Sequence, residues 1–415
     1  MARTRRLDAD VDLLDVAGPA GLLFEQAGTG IAGRGTALRI ELPVGHDRLR
    51  RSAGVVDTAL AAVEVDDEIG RPGTGPVAFV ALPFGDDDAG GVAVVPSLLV
   101  GRDADGTRWV TTVEDADGGA TNHPTLVADL TATDPTVPAG MGPGSFEVRA
   151  SRTPAAWCEA VAEAVATLRR GELGKVVLAR QVVVEADAPL DVLGLLRRMR
   201  TSYPSAMVFA IDGFVGASPE LLVSRTGDIV RSHPMAGTVP RTGDPEADGR
   251  LAAELLASSK DRAEHQVTID VVLDTVLPFC SYVDSEPEPR VVSLANVAHL
   301  ASLVEGRLSS PPATALTLAA ALHPTPAVCG WPRDDARREI ARLEGEPRGR
   351  YTGAVGWTDA RGDGRLAVAI RCAEVDGARA TVYAGNGIVA GSDPATELAE
   401  TRAKLQAVLG SLVQP

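Results

Sequence analysis

One glutamate of the chain stands in a segment whose composition is that of a protein interior. Glu220 follows the strand-like run 206–211 and a turn of Gly, Ala, Ser and Pro, and Leu221 and Leu222 come directly after it. Apolar surroundings disfavour the charged form of a carboxyl group and therefore raise its pKa. Such a group can donate a proton near neutral pH, which makes Glu220 a candidate general acid. The alternative is a strand-end glutamate that points into water, as most glutamates do.

A lysine at the start of a predicted strand is the candidate base. Lys175 opens the run 175–184, and period-two alternation places Val177 and Ala179 on its face of that strand. An ammonium group among apolar residues is destabilised, so its pKa falls and it can accept a proton. The alternative is a lysine whose side chain reaches past the strand end to water.

Two predicted helices each present acidic side chains at helical spacing. Asp261 and Glu264 share one face of the first, and Glu397, Glu400 and Lys404 share one face of the second. Carboxylate oxygens are the protein ligands that Mg²⁺ takes, together with waters or substrate oxygens. The two helices could therefore hold a divalent cation between them. The alternative is two solvated acidic faces, which is the usual meaning of such charge runs.

An arginine and a glycine pair could bind an anion. Arg371 lies in the apolar run 367–372, which predicts a strand. An arginine within an apolar strand usually has a carboxylate partner, from the protein or from a ligand. Gly385 and Gly387 follow the strand-like run 380–383, where glycines let backbone N–H groups approach an anion closely. The alternative for these glycines is an ordinary turn.

The elements that must position these residues are both strands and helices. They do not alternate regularly as βαβ units, which favours an α+β or layered α/β fold. Residues 112–147, rich in Asp, Thr, Gly and Pro, predict a long surface connection or an internal boundary. Other predicted strands lie at 37–42, 76–82 and 91–95, and predicted helices at about 57–65, 153–171, 245–277 and 392–412.

Composition excludes several classes of function. A net charge of −16 and no basic tract after the first residues argue against a nucleic acid or an anionic membrane as partner. Four widely spaced cysteines form neither a metal motif nor a disulfide framework, so we expect reduced thiols in a cytoplasmic protein. We find no signal-like or membrane-spanning apolar stretch.

Taken together, these segments resemble the chorismate-utilising enzymes, a family that includes isochorismate synthase, salicylate synthase, the large component of anthranilate synthase and aminodeoxychorismate synthase. The matching blocks occur in the family's order over about residues 150–410. They are 174–180, 216–220, 235–238, 260–265, 299–300, 323–328, 351–353, 369–371, 385–388 and 397–401.

The resemblance implies a fold, a metal and a substrate. The fold is one integrated α/β (α+β) unit with large, mainly antiparallel β-sheets and helices packed outside. Residues 151–415 would form the chorismate-binding catalytic region, and residues 1–150 a variable N-terminal part that completes the fold. The implied cofactor is Mg²⁺ and the implied substrate is chorismate.

The resemblance also assigns roles to residues by matching position. It makes Lys175 the base and Glu220 the acid. It makes Glu264 and Glu400 metal ligands, with Asp261 and Glu397 as outer-shell or water-bridged ligands. Arg371, Tyr351 and the amides around Gly385 and Gly387 would bind a substrate carboxylate, and Thr238, His299 and Lys404 would line the site.

Lys175 decides between branches of the family. Relatives that use ammonia carry a neutral residue there, typically glutamine, so a lysine implies activation of water. We therefore predict an isomerase, isochorismate synthase, with no glutamine amidotransferase subunit and a monomeric or weakly dimeric state. Salicylate synthase, with added pyruvate elimination, is the first alternative; an ammonia-dependent synthase and a silent chorismate-binding protein are the others. The sequence does not decide whether the product serves menaquinone or siderophore biosynthesis.

Overall fold

A computed structural model describes residues 1–114, 142–294 and 297–413. Within these residues the strands form three sheets of 13, 9 and 3 strands, and helices cover them. Every strand pair is antiparallel except β1 (Ala2–Arg6) with β5 (Val65–Asp67). The predicted α/β fold with large, mainly antiparallel sheets is confirmed.

The 13-stranded sheet, called sheet A, carries the candidate base. Its other strands, in spatial order, are β10 (Phe146–Ala150), β11 (Lys175–Ala186), β25 (Arg379–Ile388), β24 (Cys372–Asp376), β13 (Phe214–Ser218), β12 (Met207–Ile211), β2 (Leu22–Gln26), β3 (Thr29–Arg34), β8 (Leu98–Arg102) and β9 (Arg108–Val113), followed by β1 and β5. The short strand β21 (Gly330–Trp331) also pairs with β11.

Two further sheets complete the strand framework. Sheet B runs β17 (Cys280–Ser285), β20 (Val304–Leu308), β15 (Ile229–His233), β14 (Leu221–Thr226), β23 (Gly364–Val368), β22 (Ala354–Asp359), β6 (Val77–Leu82), β7 (Val92–Val95) and β4 (Leu38–Ile40). Sheet C runs β16 (Met235–Pro240), β19 (Val297–Ala301) and β18 (Arg290–Ser293).

Sheets A and B pack face to face, because alternate side chains of each strand are large and apolar. Phe209 of β12 and Phe79 of β6 lie in the layer between the sheets, whereas their neighbours Val208 and Val80 point to the outer faces. Helices cover those outer faces. The order of layers is therefore helix, sheet, sheet, helix, with apolar clusters at each boundary.

The helices begin at residues with clear capping chemistry. Thr153 caps the helix Pro154–Arg169 through a 3.2 Å hydrogen bond from the Ala156 amide, with Pro154 at the first helical position. The helices are α1 (Leu13–Ala17), α2 (Arg48–Ala61), α3 (Pro154–Arg169), α4 (Val192–Ser202), α5 (Pro245–Ala257), α6 (Ser259–Val276), α7 (Ala315–Leu322), α8 (Arg333–Glu344) and α9 (Pro394–Leu412).

Two predicted helices were placed wrongly. The helix predicted at 57–65 is α2, which begins nine residues earlier and ends before β5. The single helix predicted at 245–277 is two helices, because Ser258 leaves the helical conformation with ψ 109° and caps α6. Its hydroxyl accepts from the Asp261 amide, a local alternative that serine offers to the backbone.

Strands from the first 113 residues pair with strands from the later part in both large sheets. β6 pairs with β22, and β2 pairs with β12. The boundary placed near residue 150 stays a prediction. Most of the connection predicted at 112–147 lies outside the described residues, between β9 and β10. No described helix is long and apolar enough to cross a membrane.

Candidate active site

Every site residue predicted from the sequence lines one cavity of about 240 Å³. The cavity lies beside the first half of β11 and the last half of β25, and residues from α6 and α9 also line it. The loop between β13 and β14 and the paired strands β16 and β19 complete its wall. Segments that are up to 229 residues apart in the sequence, from Lys175 to Lys404, therefore meet at one point.

Glu220 is buried, as its apolar neighbours predict. It lies in the turn between β13 and β14 with 4% exposure, and its Oε1 has no hydrogen-bond partner among the described residues. Burial raises the pKa of this carboxyl group to about 8, against the opposing charge of Lys175 and a backbone bond at Met235. Glu220 therefore holds its proton at neutral pH while it faces the cavity.

Lys175 is not isolated among apolar residues, and this corrects the setting expected for it. Its Nζ donates to Glu264 Oε1 at 2.7 Å, with 13% of the lysine side chain and 26% of the glutamate side chain exposed. Burial works against ionisation of Glu264, but the charge and hydrogen bond of Lys175 lower its pKa overall. The two residues form a charge-assisted pair, so Lys175 must leave this pair before it can accept a proton.

The two glycines lie inside a strand, whereas the sequence placed them at a strand end. Gly385 and Gly387 are opposite Ala179 and Val177 in the β11–β25 ladder. A Cβ on Gly387 would lie 2.5 Å from Lys175 Cε, and one on Gly385 would lie 3.2 Å from the Tyr351 hydroxyl. A Cβ on Gly385 would also lie 2.8 Å from the Leu178 carbonyl oxygen, so the neighbouring backbone excludes a side chain there, whereas at Gly387 the Lys175 side chain would have to move.

Helix α9 brings a second lysine–carboxylate pair to the cavity. Lys404 Nζ donates to Glu400 Oε1 at 2.7 Å, to the Gly385 carbonyl at 3.1 Å and to Asn386 Oδ1 at 2.8 Å. Burial lowers the pKa of Lys404, while Glu400 acts in the opposite direction. Burial also raises the pKa of Glu397, whose Oε2 accepts from Asn386 Nδ2 at 2.9 Å.

Arg371 leaves the strand geometry that the sequence predicted for it. It lies between β23 and β24 with φ 54°, is 9% exposed, and donates to the Lys404 carbonyl at 3.4 Å. No carboxylate of the described residues forms an ion pair with it. The buried guanidinium faces the cavity beside Tyr351, whose ring stacks on Tyr383 at 5.0 Å. Arg371 therefore has donors available for an anionic ligand.

The pair Thr238 and His299 forms another part of the wall. The residues are opposite each other in the β16–β19 ladder, and Thr238 Oγ1 lies 2.9 Å from His299 Nδ1. Burial, together with the charges of Arg371 and Lys404, lowers the pKa of His299 to about 3. The imidazole is therefore neutral at physiological pH and can act as a hydrogen-bonding group but not as a cation.

The acidic residues fit a magnesium ion, but they do not form a complete set of ligands in the structure. No cluster of three or more His, Cys, Asp or Glu side chains in the described ranges is arranged to hold a metal. Glu264 and Glu400 both face the cavity, with 26% and 38% of their side chains exposed. Mg²⁺ commonly uses only one or two carboxylates, with water and substrate oxygens supplying the rest. Asp261 is hydrogen-bonded to Ser258, and Glu397 is hydrogen-bonded to Asn386. Carboxylates that already have protein partners suit positions outside the ligands that contact the ion.

Tyr383 and Lys260 are among the cavity-lining residues that the sequence analysis did not assign to the site. Tyr383 is two residues before Gly385, so period-two alternation places it on the same face of β25. The composition of the chain could have pointed to Lys260, because lysine is rare in it. The chain has three lysines against 37 arginines, and all three lysines, Lys175, Lys260 and Lys404, line this cavity.

Comparison with known proteins identifies the family. A family profile described as "Chorismate binding enzyme" matches residues 23–413. The isochorismate synthase DhbC of Bacillus subtilis is 42% identical over 279 residues, which cover 65% of this chain and 70% of that protein.

Two solved structures share the fold. The menaquinone-specific isochorismate synthase MenF of Escherichia coli superposes with a TM-score of 0.81 at 25% identity, over 100% of this chain and 95% of that one. The anthranilate synthase component I of Streptococcus pneumoniae superposes with a TM-score of 0.72 at 25% identity, over 94% and 92%. On the strength of the profile match, this chain belongs to the family of chorismate-binding enzymes.

Proposed function

We propose that this chain is an isochorismate synthase, an isomerase that moves the hydroxyl function of chorismate from ring C4 to ring C2. The observation that carries the proposal is a single cavity that joins a protonated buried acid, Glu220, to a lysine, Lys175. The similarity to proteins named isochorismate synthase supports the same reaction.

The fold alone does not decide the nucleophile, because it is shared with a protein named anthranilate synthase. The candidate base separates the two reactions. A lysine at the start of β11 can take a proton from water and so generate the oxygen nucleophile that isochorismate needs. Glutamine, the residue expected in an ammonia-using relative, has no such basic group. Lys175 therefore favours water as the attacking group.

The proposed reaction exchanges one hydroxyl for another with no redox change. Lys175 Nζ takes a proton from water as the water oxygen bonds to ring C2. The ring double bonds shift toward C4, and the C4–oxygen bond breaks as Glu220 gives its proton to the departing hydroxyl. One water enters and one water leaves, so the product is an isomer of chorismate. Proton exchange with solvent then restores a neutral Lys175 and a protonated Glu220.

The bond between Lys175 and Glu264 sets a condition on this reaction. In this 2.7 Å contact Lys175 Nζ is the donor and is held by a carboxylate, so it is not directed at a water molecule. Glu264 must therefore take other partners in the reacting complex, as a carboxylate that binds a metal would do. The structure thus supports a site in which Lys175 is activated only when the cavity is filled.

Residues of the same cavity are suited to hold Mg²⁺ and the anionic substrate. We propose Glu264 and Glu400 as ligands of the ion, with Asp261 and Glu397 in outer positions. When bound, Mg²⁺ supplies a positive charge that neutralises and orients the ring carboxylate of chorismate. The guanidinium of Arg371 can bind a carboxylate. The free-energy cost of burying its charge is offset when an anion binds beside it.

The experiment that tests the proposal is product analysis. Purified protein is incubated with chorismate and Mg²⁺, and products are separated by chromatography with mass detection. A new species isobaric with chorismate, without early salicylate or pyruvate, supports isochorismate synthase. Salicylate with equal pyruvate would move the assignment to salicylate synthase. No turnover, or full turnover after EDTA treatment, would contradict the proposed chemistry or the metal.

A further inference from the structure

One buried amide next to the cavity has no role in the proposed reaction. Asn386 lies between Gly385 and Gly387 on β25, is 2% exposed, and faces away from the cavity that its two neighbours line. A buried polar side chain is costly unless its hydrogen bonds are made. All the partners of this amide in the described structure are on α9.

The Asn386 side-chain amide makes three hydrogen bonds to Glu397 and Lys404, the first and last residues of the α9 face that carries Glu397, Glu400 and Lys404. Nδ2 donates to the Glu397 carbonyl and to Glu397 Oε2, both at 2.9 Å. Oδ1 accepts from Lys404 Nζ at 2.8 Å. The orientation of the amide is fixed by chemistry, since the lysine only donates and the carboxylate and carbonyl only accept.

The Lys404 ammonium links Asn386 to Glu400, which lies between Glu397 and Lys404 on the same face of α9. Its Nζ donates to Asn386 Oδ1 and to the Gly385 carbonyl, and it forms an ion pair with Glu400 Oε1 at 2.7 Å. The ammonium is therefore held by β25 on two sides and in turn holds the Glu400 carboxylate. Without Asn386, Lys404 loses one of its two anchors on the strand, and the Glu397 carboxylate loses its side-chain donor from β25.

We propose that Asn386 is a positioning residue that fixes Glu397 directly, and Glu400 through Lys404, for Mg²⁺ binding. The inference rests on the proposed function, in which Glu400 is a ligand and Glu397 an outer-shell group. Asn386 does not line the cavity, so it would touch neither substrate nor metal. It acts as the hydrogen-bond partners of metal ligands do in general, by fixing where the ligand oxygens point.

The test is the affinity of the folded protein for Mg²⁺ alone, measured by titration calorimetry on wild type and Asn386→Ala. Loss of such a partner commonly weakens metal binding by about 10–100-fold, and we expect that range here. In steady-state assays the Mg²⁺ concentration for half-maximal turnover should rise by the same factor. The value of kcat at saturating Mg²⁺ should fall much less.

Thr401→Val is the matched control. Thr401 is fully buried on the same helix and accepts from Arg180 Nε at 3.0 Å, but it does not line the cavity. This change also loosens contact between α9 and sheet A, so it should lower Tm without changing Mg²⁺ affinity. If Asn386→Ala does not fold, Asn386→Ser keeps a hydroxyl and should show the same effect, several-fold in size.

The outcomes separate this inference from the proposed function. If wild type binds Mg²⁺ and makes isochorismate but Asn386→Ala binds Mg²⁺ within twofold of wild type, the positioning role is wrong and the function stands. If Thr401→Val weakens Mg²⁺ binding as much as Asn386→Ala does, the effect belongs to the helix as a whole and the inference is also wrong. If wild type itself neither binds Mg²⁺ nor turns over chorismate, both fail.

Discussion

Replacing Glu220 by glutamine should change how stability depends on pH, and this tests the acid separately from catalysis. The folded-state pKa of about 8 lies well above the ordinary value of 4.5, because burial disfavours the carboxylate. A group of this kind contributes stability that is fully present below the unfolded-state pKa and is lost as pH rises through the folded-state pKa. Glutamine has the same shape and does not titrate, so it removes this dependence.

The magnitude follows from the two pKa values. Each unit of pKa difference corresponds to about 1.4 kcal/mol. Between pH 5 and pH 8 the free energy of unfolding of wild type should therefore fall by about 3.5 kcal/mol relative to Glu220→Gln. At pH 8 Glu220→Gln should be the more stable protein. Unfolding of the wild type allows Glu220 to ionise in water, which lowers the free energy of its unfolded state; the site keeps this carboxyl group for catalysis at a cost in stability.

The assay is urea unfolding of both proteins at several pH values, followed by the fluorescence of the four tryptophans. All other titrating groups are common to both proteins, so they cancel in the difference. Glu254→Gln, the same change at an exposed position on α5, is the control for the loss of a carboxyl group as such. A flat difference between wild type and Glu220→Gln would mean that Glu220 is ionised in the folded protein. It would then hold no proton to donate, and the proposed acid would be wrong.

Three further changes test other parts of the site and its support. Lys175→Gln should lower kcat by about 10²–10⁴-fold in a protein that still folds, because a general base is removed; kcat within threefold of wild type would refute the base. Arg371→Leu should raise KM for chorismate by about 10–100-fold, as loss of one charge-assisted bond does, with a smaller effect on kcat measured at saturation. Arg348→Met should destabilise the protein by about 3–5 kcal/mol in urea unfolding, because Glu344, 6% exposed and bonded to Arg348 at 2.6 Å, would be left buried and unpaired. The double change with Glu344→Leu should recover much of that loss, and if it does not, the pair is not the cause.

Much of the local structure could be predicted because it depends on neighbours in the sequence. The capped start of α3, the strand that begins at Lys175 and the burial of Glu220 all follow from short patterns of apolar, polar and turn residues. The break at Ser258 carried a local signal as well, a serine three residues before an aspartate, but the helical periodicity on both sides concealed it. The strand expected at Arg371 failed because hydrophobicity alone cannot report a residue held at positive φ.

The resemblance to a family identified which residues belong together, and the matching profile confirms that family over residues 23–413. The contacts that set the chemistry were not accessible in this way. The Lys175–Glu264 pair joins residues 89 positions apart, and the Asn386 bonds to Glu397 and Lys404 cross from a strand to a helix. Hydrogen bonds depend on positions within a few tenths of an ångström, which no spacing in the chain specifies.

The sequence by itself determined the residue types, the elements that carry them and the reaction class that they favour. Only the tertiary structure decided the state of those residues. It placed each of two lysines against a carboxylate, left Glu220 without a hydrogen-bond partner at one oxygen among the described residues, and made room for Lys175 by a glycine on the next strand. The physical reason is that charge state and reactivity depend on burial and on partners brought from distant segments, and both exist only after the chain has folded.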